Sequence, residues 1–419
     1  MAFNSINAAG APDIQGTNTY FGCVPRSAPV QSASSAIELR INGSATSTSI
    51  NDYACIYSHL LTPEDMARYA SEMPLQKDSS AAYPTSSIVG PNNAFNNIRS
   101  PFANYQANVL VPSRAAYTWT YLGQTANGAG TAMAEAYQIK LVEELFISPM
   151  VWADLMDKSA GLSNLNNLIL NIRLADVNRL VSAVLPASNA LVVTTEETVS
   201  INGWAAAFSQ ANYVKPTLIV EYITQDPVLA ARQPQTLVYD YALVQPFISP
   251  CGNWNNVTPA KTDFPAQSLR LASIPSKMYL YARPSKQAIS TAALAQTTPD
   301  TFLRITGLKI SFNNRINLFA TYTEVDLYNM SVKNGLQDTF IDWKYNTGSL
   351  CIIDVARDIG LEPDEDVGQA NKYSTLQVYA SLSASPLAFA EVGGALAYDF
   401  YVLVEQPGKA FITASECQY

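Results

Sequence analysis

The sequence predicts an antiparallel all-β protein in two domains, and three observations carry that prediction. Stretches that alternate apolar and polar residues recur along the whole chain, a period of two that fits half-buried strands. Helix signals are few and short. At 419 residues the chain is too long for one average domain and suits two of roughly 200 residues.

Taken in order, Met1 to Ser35 is rich in Ala, Ser, Asn and Pro and reads as an arm, ordered only where something else holds it. Alternation begins at Ile37, Leu39 and Ile41. A helix is expected from Pro63 to Glu72, with Thr62 as N-cap, Pro63 at the first helical position, and Glu64 and Asp65 where the helix dipole favours negative charge. Pro74 ends it, and Lys77 to Ser113 is loop-like, too long for a simple connection. Strand patterns return at Tyr137, Ile139 and Leu141, at Leu168, Leu170, Ile172 and Leu174, and at Leu218, Val220 and Tyr222. Asp226-Pro227 and Pro234 then mark a linker. The resulting division is an arm over 1–35, a first domain over 36–225, a linker over 226–235 and a second domain over 236–419.

The second domain opens with Leu237, Tyr239, Tyr241 and Leu243, continues through Met278 and Leu280, and alternates again at Leu308, Ile310 and Phe312 before a polar Asn313-Asn314-Arg315 break. A helix follows with both ends marked. Thr323 and Asp326 form a variant capping box, and Asn334-Gly335 supplies a left-handed stop. Val325, Leu327, Tyr328 and Val332 are expected to pack it on the sheet. Leu376 to Leu382, and Leu396 through Val404 on one face, complete the strands. Phe146-Ile147-Ser148-Pro149 recurs as Phe247-Ile248-Ser249-Pro250, each read as a strand end; the echo fits either duplication or the habit of Ser-Pro to end strands.

Several of these segments carry a family likeness. Leu303-Arg304-Ile305-Thr306-Gly307, Asn313-Asn314-Arg315, Leu327-Tyr328-Asn329-Met330-Ser331-Val332-Lys333-Asn334-Gly335, Asp358-Ile359-Gly360 and Leu376-Gln377-Val378 resemble the C-terminal half of double jelly-roll major capsid proteins. These are the coats of icosahedral DNA viruses related to virophages, polinton-like viruses and adintoviruses. The resemblance implies two consecutive eight-stranded jelly rolls with short inserted helices. It also implies a homotrimer that makes a pseudo-hexagonal capsomer, contacts with neighbouring capsomers and with penton or minor capsid proteins, and a place in the virion after synthesis in the host cytoplasm. No cofactor is implied.

Composition agrees. Hydrophobic residues make up 48% of the chain and charged ones 14%, against roughly 25% charged in ordinary globular proteins, so the surface suits being covered by neighbours. The net charge is −9 and Arg26 is the only basic residue before Leu39, which argues against direct nucleic-acid binding; an internal membrane or separate basic proteins would stand between such a shell and a genome. Met1 is followed by polar Asn4, Ser5 and Asn7, so no secretory signal is expected, and the sequons at Asn42, Asn256 and Asn329 then read as chance matches.

The chemistry-bearing residues give little. His59 is the only histidine, no G-x-S-x-G elbow is present, and a structural role is favoured over catalysis. Cys23, Cys55, Cys251, Cys351 and Cys417 are scattered and odd in number, against a disulfide scaffold or a zinc site. Gly128-Ala129-Gly130 lacks the ending of a phosphate loop. Asp354, Asp358, Glu362, Asp364, Glu365 and Asp366, with Gly360, Pro363 and Gly368, read as a solvated acidic turn rather than a calcium site. Two rivals share the composition: a trimeric receptor- or carbohydrate-binding β protein, using the 23 Tyr, 15 Phe and 5 Trp, and a hydrolase with an acidic pair at Glu143-Glu144 or within 354–366. No catalytic, cofactor or metal residue is assigned.

Overall fold

The computed structural model describes residues 2–6, 23–48, 50–66, 77–78, 117–126, 133–141, 143, 166–174, 177–183, 192–194, 237–254, 262–265, 268–271, 274–289, 298–313, 315–361, 374–384, 396–413 and 416–418. The expected strand at Leu218, the 226–235 linker, the Gly128 turn and the first Phe-Ile-Ser-Pro copy lie outside them.

The first half contributes strands β1 (Ala2–Ile6), β2 (Cys23–Pro25), β3 (Ser34–Ile41), β4 (Ser44–Thr48), β5 (Tyr117–Ala126), β6 (Met133–Leu141), β7 (Leu168–Leu174), β8 (Val181–Ala183) and β9 (Val192–Thr194), with helices α1 (Pro29–Ala33) and α2 (Ile50–Leu60). They pair as β5-β6-β1-β9, β4-β3-β7 and β2-β8. Part of the stretch expected to be an arm is thus built in: β2, α1 and the first residues of β3 come from it, and Arg26 and Gln31 are fully buried. The Asn42-Gly43 turn between β3 and β4 has both residues at positive φ, which these two residue types tolerate best.

In the second half the strands are β10 (Leu237–Trp254), β11 (Thr262–Pro265), β12 (Leu269–Leu271), β13 (Lys277–Pro284), β14 (Arg304–Phe312), β15 (Arg315–Leu318), β16 (Cys351–Asp354), β17 (Ser374–Ser383), β18 (Leu396–Ile412) and β19 (Cys417–Gln418), with helix α3 (Glu324–Lys333) between β15 and β16. The pairings nest: β14 with β15, β13 with β16, β11 and β12 with β17, and β10 with β18, all antiparallel. A long antiparallel ribbon paired in this way and then rolled brings β13 against β18 and β14 against β17. The result is two facing sheets ordered β10-β18-β13-β16 and β11-β17-β14-β15, the architecture of a jelly roll.

Alternation sets which residues face the space between the sheets. In β17, Leu376, Val378, Ala380 and Leu382 are buried while Thr375, Gln377 and Tyr379 are exposed, and each fully buried Leu or Val stabilises by roughly 1.5–3 kcal/mol. β14 places Leu308, Ile310 and Phe312 inward as the pattern predicts, and a bulge between Ile305 and Gly307 resets the register so that Ile305 is also buried. β13 departs from simple alternation, for every residue from Met278 to Pro284 is buried. β18 does likewise from Phe400 to Val404, so the expectation that it buries one face is corrected to both. The second Phe-Ile-Ser-Pro copy lies within β10 rather than at its end, just before a bulge at Pro250/Gly252.

Helix α3 has the predicted capping box, with Thr323 and Asp326 bonding each other's backbone N–H, and Gly335 ends it at φ +116. Its contacts differ from expectation. Leu327, Met330 and Ser331 are buried, Tyr328 is half-buried against Phe340 and Trp343, and Val325 and Val332 are exposed. The buried stripe runs 327, 330, 331, 334 on the helical period, which places 325 and 332 on the far side. Gly348 is fixed by a close approach: a Cβ there would collide with the backbone of Phe302.

Candidate functional site: a buried charged seam between the two halves

Helix α2 explains why β13 and β18 are buried on both faces. Met278, Leu280 and Ala282 point between the two sheets, while Tyr279, Tyr281 and Arg283 point the other way, to where Tyr53, Ile56 and Tyr57 of α2 join the same core. Tyr53 meets Tyr279 edge-on at 5.7 Å, and Tyr279 donates a 2.6 Å bond to Glu405. Tyr281 stacks on Tyr401 at 5.0 Å and donates to the Asp52 carbonyl.

Charged groups are buried along this contact in three clusters. In the first, Asp52 is 2% exposed and pairs with Arg283 at 2.5 Å and Lys286 at 2.9 Å. Arg283 also donates to the Asn51 side chain at 2.8 Å and lies 4.8 Å above the Tyr401 ring. In the second, Arg26 pairs with Asp78 at 2.9 Å, Asp78 accepts from the Asp300 N–H, and Asp300 pairs with Arg179 at 2.7 Å. Burial works against ionising Asp300, but Arg179, Arg283 and Arg26 outweigh it and hold its pKa at about 2.

The third cluster contains the only histidine. His59 Nδ1 lies 2.7 Å from Asp338 Oδ2, Lys77 pairs with the other carboxylate oxygen, and the His59 ring rests 5.4 Å from Phe302. Burial opposes the Asp338 charge, yet His59 and Lys77 bring its pKa below the usual carboxylate value. The Gln337 N–H donates to the His59 carbonyl at 2.8 Å and Tyr328 donates to the Asp338 carbonyl at 2.8 Å. Among the described residues the His59 ring hydrogen-bonds to neither a serine nor a cysteine, so no nucleophile completes a catalytic pair there.

Each cluster joins a first-half residue to a second-half residue; removing one partner of a buried pair costs about 3–5 kcal/mol, while the intact pair adds little net stability over an apolar one. The first half is fastened at a further place, where Leu39 and Ile41 of β3 pack with Ala410, Ile412 and Cys417, and Asn42 donates to the Thr413 carbonyl at 2.6 Å.

The molecule is thus two β halves, the second a jelly roll, joined along the charged seam and at the β3 contact. The family described as the major capsid protein V20 C-terminal domain matches residues 247–405. A chain of the Sputnik virophage structure solved by cryo-EM superposes with a TM-score of 0.69 at 20% identity, over all of this chain and 80% of that one. The chain has the double jelly-roll fold of those capsid proteins. The mavirus major capsid protein superposes with a TM-score of 0.64 at 17% identity, over all of this chain and 82% of that one. The putative capsid protein V20 of Sputnik virophage is 24% identical over 378 residues, 85% of this chain; the chain spans 59% of that relative's length.

The described acidic candidates are engaged locally. Glu143, half of the suggested hydrolase pair, accepts the N–H groups of Val30 and Gln31 at 2.8 and 3.0 Å and so caps α1, whose own preceding residue, Ala28, cannot; Glu144 lies outside the described residues. Asp354 caps the π-helical turn Val355–Ile359, and Asp358 accepts from Asn334 at 2.6 Å. Glu362, Pro363, Asp364, Glu365, Asp366 and Gly368 lie outside the described residues. Cys55, Cys251 and Cys351 are free thiols, and burial raises Cys351 and Cys251 to about 12.

Proposed function

We propose that the chain is the shell-building major capsid subunit of a virophage-like virus, and that three copies form a pseudo-hexagonal capsomer. The observation that carries this reading is the architecture itself, a jelly roll locked through buried ion pairs to a second β half, in a chain whose C-terminal part matches the capsid family. Two rigidly joined halves per chain let three chains present six corners, and closed cyclic symmetry satisfies every contact. The role is structural rather than catalytic, as the burial of His59 between Asp338 and Phe302 supports. Neighbouring capsomers and penton or minor capsid proteins are the partners, and the virion is the location.

Native mass spectrometry of the purified chain tests the reading. A trimer is the expected mass, and electron microscopy of concentrated protein is expected to show pseudo-hexagonal particles. A monomer persisting at micromolar concentration overturns it.

A further inference from the structure

Among the described residues of the second half, the segment that joins β15 to β16 carries the most exposed large apolar side chains. Tyr322, Val325, Val332, Ile341 and Tyr345 stand 40–62% exposed within it. They sit on a fixed platform: α3 is capped at both ends, Glu324 is gripped by Arg304 at 2.5 and 2.6 Å and by Lys344 at 3.1 Å, and both cations lie against the Tyr345 ring. At about 100 Å² each the five side chains expose roughly 500 Å², over half of the ~800 Å² that each partner contributes to a standard interface. That share matches the apolar fraction of such interfaces.

The first half presents a counterpart. β7 ends the described β4-β3-β7 sheet, and Leu168, Ile169 and Ile172 are 37–41% exposed on it. Ile169 lies on one face of the strand, and Leu168 and Ile172 on the other. An end strand with apolar side chains on both faces is what folded proteins ordinarily cover. Exposed Arg173 follows Ile172 on β7, and on α3 exposed Asp326 follows Val325 and exposed Lys333 follows Val332, so the α3 rim offers Arg173 a carboxylate beside a cation.

We propose that the α3 face of one copy docks on the β7 strand of the next copy, forming the repeated contact of the capsomer. This rests on the trimer reading above. In a ring of identical two-half chains each junction joins the second half of one copy to the first half of its neighbour, so a contact of this kind uses two different surfaces and closes after three. Both surfaces are apolar, and both belong to the same chain.

Val325→Asp and Ile169→Asp each place a charge in this contact at a position exposed in the single chain, so the melting temperature stays within a few degrees of wild type. Native mass spectrometry is expected to show wild-type trimers and monomers for each variant alone. A one-to-one mixture is expected to give heterodimers and no trimers, because one intact α3 face and one intact β7 strand remain and a third copy cannot be added. Either variant keeping the wild-type trimer, or a mixture that stays monomeric, overturns the contact. Wild-type monomers overturn the capsomer reading and the contact with it. Should an aspartate variant fail to fold, Val325→Ser and Ile169→Ser serve instead, with trimer affinity weakened at least about tenfold as the expected result and unchanged affinity as the refuting one.

Discussion

Glu143 holds the start of α1 with both carboxylate oxygens, and its burial raises its pKa from 4.5 to about 7 despite the two backbone N–H groups that favour the charge. A carboxyl whose folded pKa is raised stabilises the fold fully below its unfolded value, and that contribution disappears as pH rises through the folded value. The stability of the first half is therefore expected to decline between about pH 4.5 and pH 7 on this residue's account. Glu143→Gln is expected to flatten that slope, measured as melting temperature against pH; an unchanged slope would show that Glu143 does not titrate in this range. Asp300 works in the opposite sense at lower pH, because its pKa of about 2 lies below the ordinary aspartate value of 3.8. Its contribution is present above the unfolded value and is lost as pH falls toward about 2.

Among the elements, α3 shows how one helix divides stability from assembly. Leu327 is fully buried while Val332 is 40% exposed. Leu327→Asp is expected to cost about 4 kcal/mol or more, read as loss of soluble protein or a collapse in denaturation midpoint, and Val332→Asp less than about 0.5 kcal/mol. Equal effects of the two would refute the burial pattern. The ends of α3 were legible because a capping box and an Asn-Gly stop are local in sequence, and β17 was legible because its alternation is uninterrupted. The facing of α3 was misjudged because Val at 325 and 332 is as apolar as the buried residues, and a ten-residue stripe does not say which apolar positions the sheet will cover. Helix α2 (Ile50–Leu60) went unread altogether: Ser49 and Asp52 have the same spacing as Thr323 and Asp326, but its Tyr53, Ile56 and Tyr57 owe their burial to β13, more than 200 residues away in the chain.

For the molecule as a whole, the seam was invisible in the sequence for the same reason. Asp52 meets Arg283 across 231 positions and His59 meets Asp338 across 279, and neither pair forms a motif. Arg26, the one cation in the segment where a nucleic-acid-binding arm would be basic, is buried against Asp78. With a net charge of −9, the protein is expected to show no salt-sensitive affinity for DNA between about 50 and about 200 mM salt; a fluorescence-anisotropy titration with a steep logarithmic salt slope would refute this. The bond from Asn42 to Thr413 spans 371 positions. A ribosome adding about 5–20 residues per second therefore exposes the apolar face of Leu39 and Ile41 for roughly 20 to 70 s before Ala410 and Ile412 exist to cover it. Nascent chains on one message lie side by side during that interval, and each carries the same uncovered face.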